Sequence, residues 1–176
     1  MTRIAVVVGN PKPASRTLNV ATAVADALAD ALTGALPAEQ TLDQEHLVVD
    51  LAEHASDLFD WGAPRLTELT AQVASAGLII AASPTYKATY TGMLKAFFDR
   101  YGSNGLAGSV AVPLMTGGAP IHALAVEVHL RPLLVELAAA VPSRGLYVTE
   151  AEFGDLAAPL GRWAEAAVPL LRSALS

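Results

Sequence analysis

The feature that most constrains the fold is a fivefold alternation of short apolar runs with segments of helical periodicity. The apolar runs cover residues 3–9, 46–51, 77–83, 109–116 and 144–150. The segments with apolar residues at helical spacing cover 17–36, 65–76, 91–101, 122–140 and 160–175. Nearly continuous apolar runs are typical of strands buried on both faces. The pattern therefore predicts an α/β fold, a doubly wound five-stranded parallel sheet with helices on both faces.

Composition narrows the class of protein. The 176 residues favour a single domain over 1–176, and no apolar run approaches the roughly 18–20 residues that span a bilayer. The formal net charge of −6, without a basic stripe, disfavours nucleic acid as a partner. The absence of cysteine excludes disulfides, thiolate catalysis and cysteine-bound metals. The opening residues lack the apolar stretch and cleavage site of a secretion signal, so we expect a cytoplasmic location.

Three loops are the expected position of a binding site. In doubly wound sheets, ligands bind beyond the carboxyl ends of the strands, where the winding reverses. The loops that follow strands one, three and four cover 9–17, 83–91 and 116–121, and they carry most of the glycine, proline and hydroxyl residues of the chain. We therefore expect one site built from these loops.

The first loop, "GNPKPASRTLN", favours an anion. Ser15, Arg16 and Thr17 lie at a predicted helix N-terminus, where free N–H groups and the helix dipole attract negative charge. Two hydroxyls and a guanidinium are suited to a phosphate. The spacing matches neither a Walker loop nor G-x-G-x-x-G, which disfavours a nucleoside triphosphate or a Rossmann-bound dinucleotide. Helix capping by Ser15 or Thr17 is the alternative, and it is compatible with phosphate binding.

The second loop, "SPTYKATYTG", is suited to a flat ligand. Pro84 has no N–H and fixes a rigid turn. Backbone groups from Thr85 to Lys87 are then expected to be free for a heterocycle, and Tyr86 to supply an apolar wall. The alternative is a structural turn whose tyrosine packs on the next helix.

The third loop, "TGGAP", is expected to let the backbone approach a ligand. Gly117 and Gly118 have no side chains to prevent that approach, although a simple strand-to-helix turn is an alternative. An anion-binding region on the first loop and a surface for a planar ring on the other two match the shape of flavin mononucleotide (FMN).

Longer stretches resemble a known family. "PTYKATYTGMLKAFFD" and "VAVPLMTGGAPIHALAVEVHLRPLLVELAA" are similar to the NAD(P)H-dependent FMN reductases that serve sulfonate-using two-component monooxygenases. "VVGNPKPASRT" resembles the phosphate loop of that family, with Asn10 and Lys12 where serine and arginine are usual. The resemblance spans roughly residues 3–150 in order.

The resemblance implies a flavodoxin-like fold, bound FMN, NADPH or NADH as hydride donor, and a homodimer or homotetramer. It implies that reduced flavin passes to a flavin-dependent monooxygenase and that no side chain acts as nucleophile or general acid. The cofactor-binding residues implied by the resemblance are Ser15, Arg16, Thr17, Pro84, Thr85, Tyr86, Lys87, Gly117 and Gly118. Two alternatives use similar loops: an FMN-bound reductase of quinones, azo dyes or metal oxyanions, and a flavodoxin-type electron carrier without a nicotinamide site.

Three further expectations concern single residues. Pro132 lies inside the helix predicted over 122–140, where it removes an N–H and clashes with the carbonyl of Val128, so we expect a kink or π-bulge over 128–132. No metal site is predicted, because His122 and His129 have no evident third ligand. Asp50 is expected on a solvated acidic face.

Overall fold

The computed structural model describes residues 2–33, 43 and 45–176, and it contains the predicted sheet. Five strands pair in parallel in the order β2-β1-β3-β4-β5. Their bounds are β1 (Ile4–Val8), β2 (Leu47–Asp50), β3 (Leu78–Pro84), β4 (Val110–Gly117) and β5 (Leu146–Thr149). All residues of β1 and β3 are buried, as expected for central strands of a covered parallel sheet. The predicted α/β architecture is confirmed.

Helices cover both faces of the sheet. They are α1 (Arg16–Leu32), α2 (Pro64–Ala74), α3 (Gly92–Phe98), α4 (Arg131–Glu136) and α5 (Ala157–Leu175). Helices α1 and α5 share one apolar core with the sheet, and α2, α3 and α4 share the other. The last residues of the predicted 17–36 helix, 34–36, lie outside the described residues. None of the described helices is long and apolar enough to cross a membrane.

The segment predicted as one helix over 122–140 is divided. A 3₁₀ turn (Pro120–His122) precedes a π-helical segment (Val126–Leu130), which continues into α4. The N–H of Arg131 donates to the carbonyl of Val126, five residues back, so the predicted π-bulge next to Pro132 is confirmed.

The predicted helix end at residue 140 is wrong. Ala138 has a φ of 65°, which ends the helical backbone, and Ala139 donates to the carbonyl of Leu134 in a C-terminal closing turn. Ala140 then pairs with both Ser109 and Ala111 beside β4, which requires an extended backbone. Sheet pairing therefore outweighs the helical preference of this alanine-rich stretch.

The strand order places the expected loops together. From β1 the chain moves outward to β2, then crosses back to β3 on the other side of β1, so the winding reverses at the β1–β3 neighbours. Val8 is in register with Ala82, and Pro84 with Thr116, so β1, β3 and β4 end at the same edge of the sheet.

Candidate functional site

A cavity of about 380 Å³ lies at this edge and is lined by all three predicted loops. Its lining includes every predicted site residue except Lys87. The lining residues that were not among the predicted site residues are Asn10, Lys12, Ala14, Thr116, Glu150 and Phe153. The cavity is thus the point at which the sequence-predicted residues meet.

The N-terminus of α1 forms one end of the cavity. Ser15 is the N-cap, and its hydroxyl accepts a hydrogen bond from the N–H of Leu18 at 3.2 Å. Within the described part of the chain, the N–H groups of Ser15, Arg16 and Thr17 donate to no protein acceptor. These donors and the positive end of the helix dipole favour an anion at this end. The capping by Ser15 is therefore compatible with an anion at this end.

A buried aspartate holds this loop in shape. The Asp50 carboxylate accepts the N–H of Ala14 at 3.0 Å and the N–H of Ala52 at 3.2 Å. Ala14 has a φ of 49°, a left-handed conformation that alanine adopts only when its surroundings impose it. Asp50 is only 6% exposed, so its expected place on a solvated acidic face is wrong. Its position at the carboxyl end of β2, beside β1, is the signal that could have found it.

The Thr17 hydroxyl is directed to protein partners. It accepts a hydrogen bond from the side-chain amide of Asn10 at 3.1 Å and shares a second bond with the Thr116 hydroxyl at 2.9 Å. Since Thr17 is buried, this chain of three polar side chains connects the first loop to the end of β4. The hydroxyl of Thr17 therefore positions the helix, and its backbone N–H is the group left for a ligand.

The loop after β3 is more firmly bonded than expected. The N–H of Thr85 donates to the carbonyl of Thr116 at 2.6 Å, and the N–H of Tyr86 donates to the carbonyl of Thr89 at 2.9 Å. The expectation that these two N–H groups are free for a heterocycle is therefore wrong. The Thr85 N–H continues the β3–β4 pairing, whose last register pair is Pro84 with Thr116. The Tyr86 N–H closes a tight turn, in which Lys87 and Ala88 have φ values of 51° and 67°. Lys87 lies in this turn, outside the cavity lining.

Two side chains of the same loop meet the cavity in different ways. The Thr85 hydroxyl is buried and has no hydrogen-bond partner among the residues that the structure describes. A buried hydroxyl without a partner is costly, so it is suited to a polar ligand atom. Tyr86 is 52% exposed and forms part of the cavity wall.

The two glycines after β4 have different surroundings. A Cβ added to Gly117 would lie 2.1 Å from the Tyr147 hydroxyl oxygen and 3.3 Å from Thr85 Oγ1. A Cβ added to Gly118 would meet no atom of the described residues within 4 Å. Gly117 is therefore required by packing, whereas Gly118 leaves open space beside its backbone that a ligand can fill.

Charged residues meet at the end of the cavity formed by the N-terminus of α1. Lys12 and Arg16 line the cavity, and Arg16 Nη2 lies 3.3 Å from Glu150 Oε1. The guanidinium carbon of Arg16 also lies 5.1 Å from the centre of the Phe153 ring. The cavity thus combines two cationic side chains with one carboxylate.

Comparison with known proteins gives the family. The sequence profile of the NADPH-dependent FMN reductases matches residues 2–153. The chain belongs to this family. Over 93 residues it is 38% identical to an FMN reductase (NADPH) of Escherichia coli, covering 53% of this chain and 49% of the relative. Over 83 residues it is 39% identical to an NADH-dependent FMN reductase of Pseudomonas fluorescens, covering 47% and 44%. The matches thus span about half the length of these relatives.

Solved structures agree with the fold. An NADH:FMN oxidoreductase in its apo form superposes with a TM-score of 0.83 and 28% identity, covering 100% of this chain and 91% of that one. A WrbA-like flavodoxin from Agrobacterium tumefaciens has a TM-score of 0.59 at 17% identity, covering 99% and 98%, and shows the fold alone. The flavodoxin-like architecture expected from the resemblance is confirmed.

Proposed function

We propose that this protein is an NAD(P)H-dependent FMN reductase whose single domain, 1–176, binds the flavin in the cavity at the ends of β1, β3 and β4. The observation that carries the proposal is the N-terminus of α1: Ser15, Arg16 and Thr17 line the cavity beside Lys12, and within the described part of the chain their N–H groups have no protein acceptor. This donor set is suited to the phosphate monoester of FMN.

The rest of the cavity fits a planar ring and a polar chain. Thr85 lines the cavity, and its hydroxyl, which has no partner among the described residues, is a candidate hydrogen-bonding group for the ligand. The open space beside Gly118 admits a flat edge close to the backbone, and Tyr86 supplies an apolar wall. These features lie on the loops after β3 and β4, which line the same cavity as the N-terminus of α1.

Bound FMN supplies the redox chemistry, as acceptor of a hydride from the nicotinamide of NADPH or NADH. The protein's own part is to hold and orient the flavin and leave one side accessible to the nicotinamide. The backbone donors at α1 fix the phosphate, and the bonded turn after β3 keeps Thr85 and Tyr86 in place. No nucleophile or general acid is needed, which agrees with a cavity rich in backbone and hydroxyl groups.

We extend the proposal to the physiological setting. Release of reduced flavin to a flavin-dependent monooxygenase is supported by the sequence resemblance described above. Relatives named for NADPH and for NADH both match the chain, so either nucleotide is a candidate donor. The homodimer or homotetramer and the cytoplasmic location stay predictions.

Steady-state oxidation of NADPH and NADH tests the proposal, with a catalytic amount of protein and FMN varied from none to excess. We expect turnover to rise and saturate with FMN, and the free flavin pool to become reduced. If the protein retains its flavin and turns over only with a quinone, azo dye or metal oxyanion, the result would support an FMN-bound reductase of such acceptors. Consumption of neither nucleotide by flavin-loaded protein would support an electron carrier.

A further inference from the structure

Glu150 is the one acidic side chain among the described residues that line the cavity. It comes directly after β5, whose last residue, Thr149, is in register with Gly117. A carboxylate is unexpected in a site suited to a phosphate dianion, because the two like charges repel each other. Nothing in the proposed function requires this residue.

The position of Glu150 is fixed by the turn that carries it. Glu152 accepts hydrogen bonds from both the N–H and the hydroxyl of Thr149, each at 2.8 Å. These two bonds from Thr149 to Glu152 hold the 3₁₀ turn Glu150–Glu152 at the end of β5. Glu152 also lies 3.5 Å from Arg162 on α5. Glu150 therefore projects from a rigid support, and its own carboxylate is left for Arg16.

Arg16 is held between two groups of the same turn. Its guanidinium lies over the Phe153 ring and donates to the Glu150 carboxylate. The bond to Glu150 comes from Nη2 and uses one of the five N–H donors of the guanidinium. A phosphate at the N-terminus of α1 would draw on the same guanidinium, so the carboxylate and the phosphate compete for its charge and for Nη2.

We propose that Glu150 sets the affinity for FMN by competing with the flavin phosphate for Arg16. This inference rests on the proposed function and specifies how the same site is tuned. A phosphate that engages Arg16 weakens its bond to Glu150, and the carboxylate then lies on the same side of the cavity as the bound phosphate. Both effects weaken the complex and speed its dissociation, which keeps FMN exchangeable, as a flavin that is a substrate must be.

The test is the dissociation constant of FMN for Glu150→Gln, measured by quenching of flavin fluorescence. We expect FMN to bind about two- to fivefold more tightly, because one exposed charge pair is removed together with one repulsion. Riboflavin has no phosphate, so its dissociation constant should not change. Glu165→Gln is the control, since it removes the same charge from an exposed position of α5.

A double-mutant cycle tests the competition itself. Arg16→Gln should weaken FMN binding more in the Glu150→Gln protein than in the wild type, because Arg16 is then free to serve the phosphate alone. Equal or weaker FMN binding by Glu150→Gln would overturn the inference while leaving the proposed function intact. A tightening that is equal for FMN and riboflavin would overturn it too. Failure of the wild type to bind FMN would contradict both proposals.

Discussion

Gly117→Ala is expected to destabilise the fold, because the space for a side chain is already occupied. The added Cβ would lie 2.1 Å from the hydroxyl oxygen of Tyr147 and 3.0 Å from its Cζ. The Tyr147 ring comes from the neighbouring strand, β5, and its hydroxyl donates to the carbonyl of Ala119 at 3.0 Å. Relief of the clash therefore requires that the tyrosine move and give up this bond.

The magnitude follows from these two contributions. Overpacking of this kind costs about 1–3 kcal/mol, and the lost hydrogen bond costs about 0.5–1.5 kcal/mol. We expect the free energy of unfolding to fall by about 1.5–4.5 kcal/mol, which lowers the Tm by roughly 3–18 °C for a chain of this size. Urea unfolding followed by circular dichroism measures the change.

Two further variants separate the causes. Gly118→Ala should unfold within about 0.5 kcal/mol of the wild type, because its Cβ meets no protein atom, but should bind FMN more weakly since it fills space in the cavity. Gly117→Ala should cost less in a Tyr147→Phe background, because the nearest clashing atom is then absent. Wild-type stability of Gly117→Ala, or an equal cost in both backgrounds, would refute this account of the packing.

Three more substitutions test other parts of the structure. Asp50→Ala should lower the free energy of unfolding by about 2–3 kcal/mol and weaken FMN binding, because the N–H of Ala14 loses its buried acceptor. Ala88→Gly should raise the free energy of unfolding by about 0.5–1 kcal/mol, since its φ of 67° is strained for alanine. Burial alone would raise the pKa of Glu127, but hydrogen bonds from Arg131 and the Gly145 N–H outweigh it and hold the pKa below the ordinary value of 4.5. Ionised Glu127 therefore stabilises the fold above about pH 4.5, and this stabilisation is lost as the pH falls through the lower pKa of the folded state. We expect Glu127→Gln to be less stable than the wild type at neutral pH and to lose less stability on acidification.

Urea unfolding checks these three predictions, at several pH values for the last. Asp50→Asn is the control for Asp50→Ala, because it keeps one oxygen acceptor and should lose less stability. Ala164→Gly, inside α5, is the control for Ala88→Gly and should instead destabilise the protein. Three results would each contradict the corresponding prediction. They are a wild-type free energy of unfolding for Asp50→Ala, a lower one for Ala88→Gly, and equal acid sensitivity of Glu127→Gln and the wild type.

The sheet and the position of the cavity follow from the sequence, because both depend on local patterns. Apolar runs of strand length and the order of the elements predict a parallel sheet, and its carboxyl edge is the general place for a ligand. The π-helical segment was also predictable, since Pro132 removes one particular N–H. The end of the same helix was not, because Ala140 pairs with β4, a contact between segments about 30 residues apart.

The residues missed at the site are those whose role depends on tertiary contacts. Aspartate is mostly found exposed, and nothing local in the sequence shows that Asp50 is buried and accepts the N–H of Ala14. Glu150 and Phe153 reach the cavity from the edge strand β5, through a turn that Glu152 fixes. The rule that strand ends carry the site would have found Glu150, had it been applied to the fifth strand as well.

The most direct test of the central claim is a crystal structure of this protein with FMN. The account predicts the flavin in the cavity at the ends of β1, β3 and β4, with phosphate oxygens within hydrogen-bond distance of the N–H groups of Ser15, Arg16 and Thr17. It also predicts the ring beside Tyr86 and Gly118. A flavin bound elsewhere, or one whose phosphate lies away from the N-terminus of α1, would contradict it.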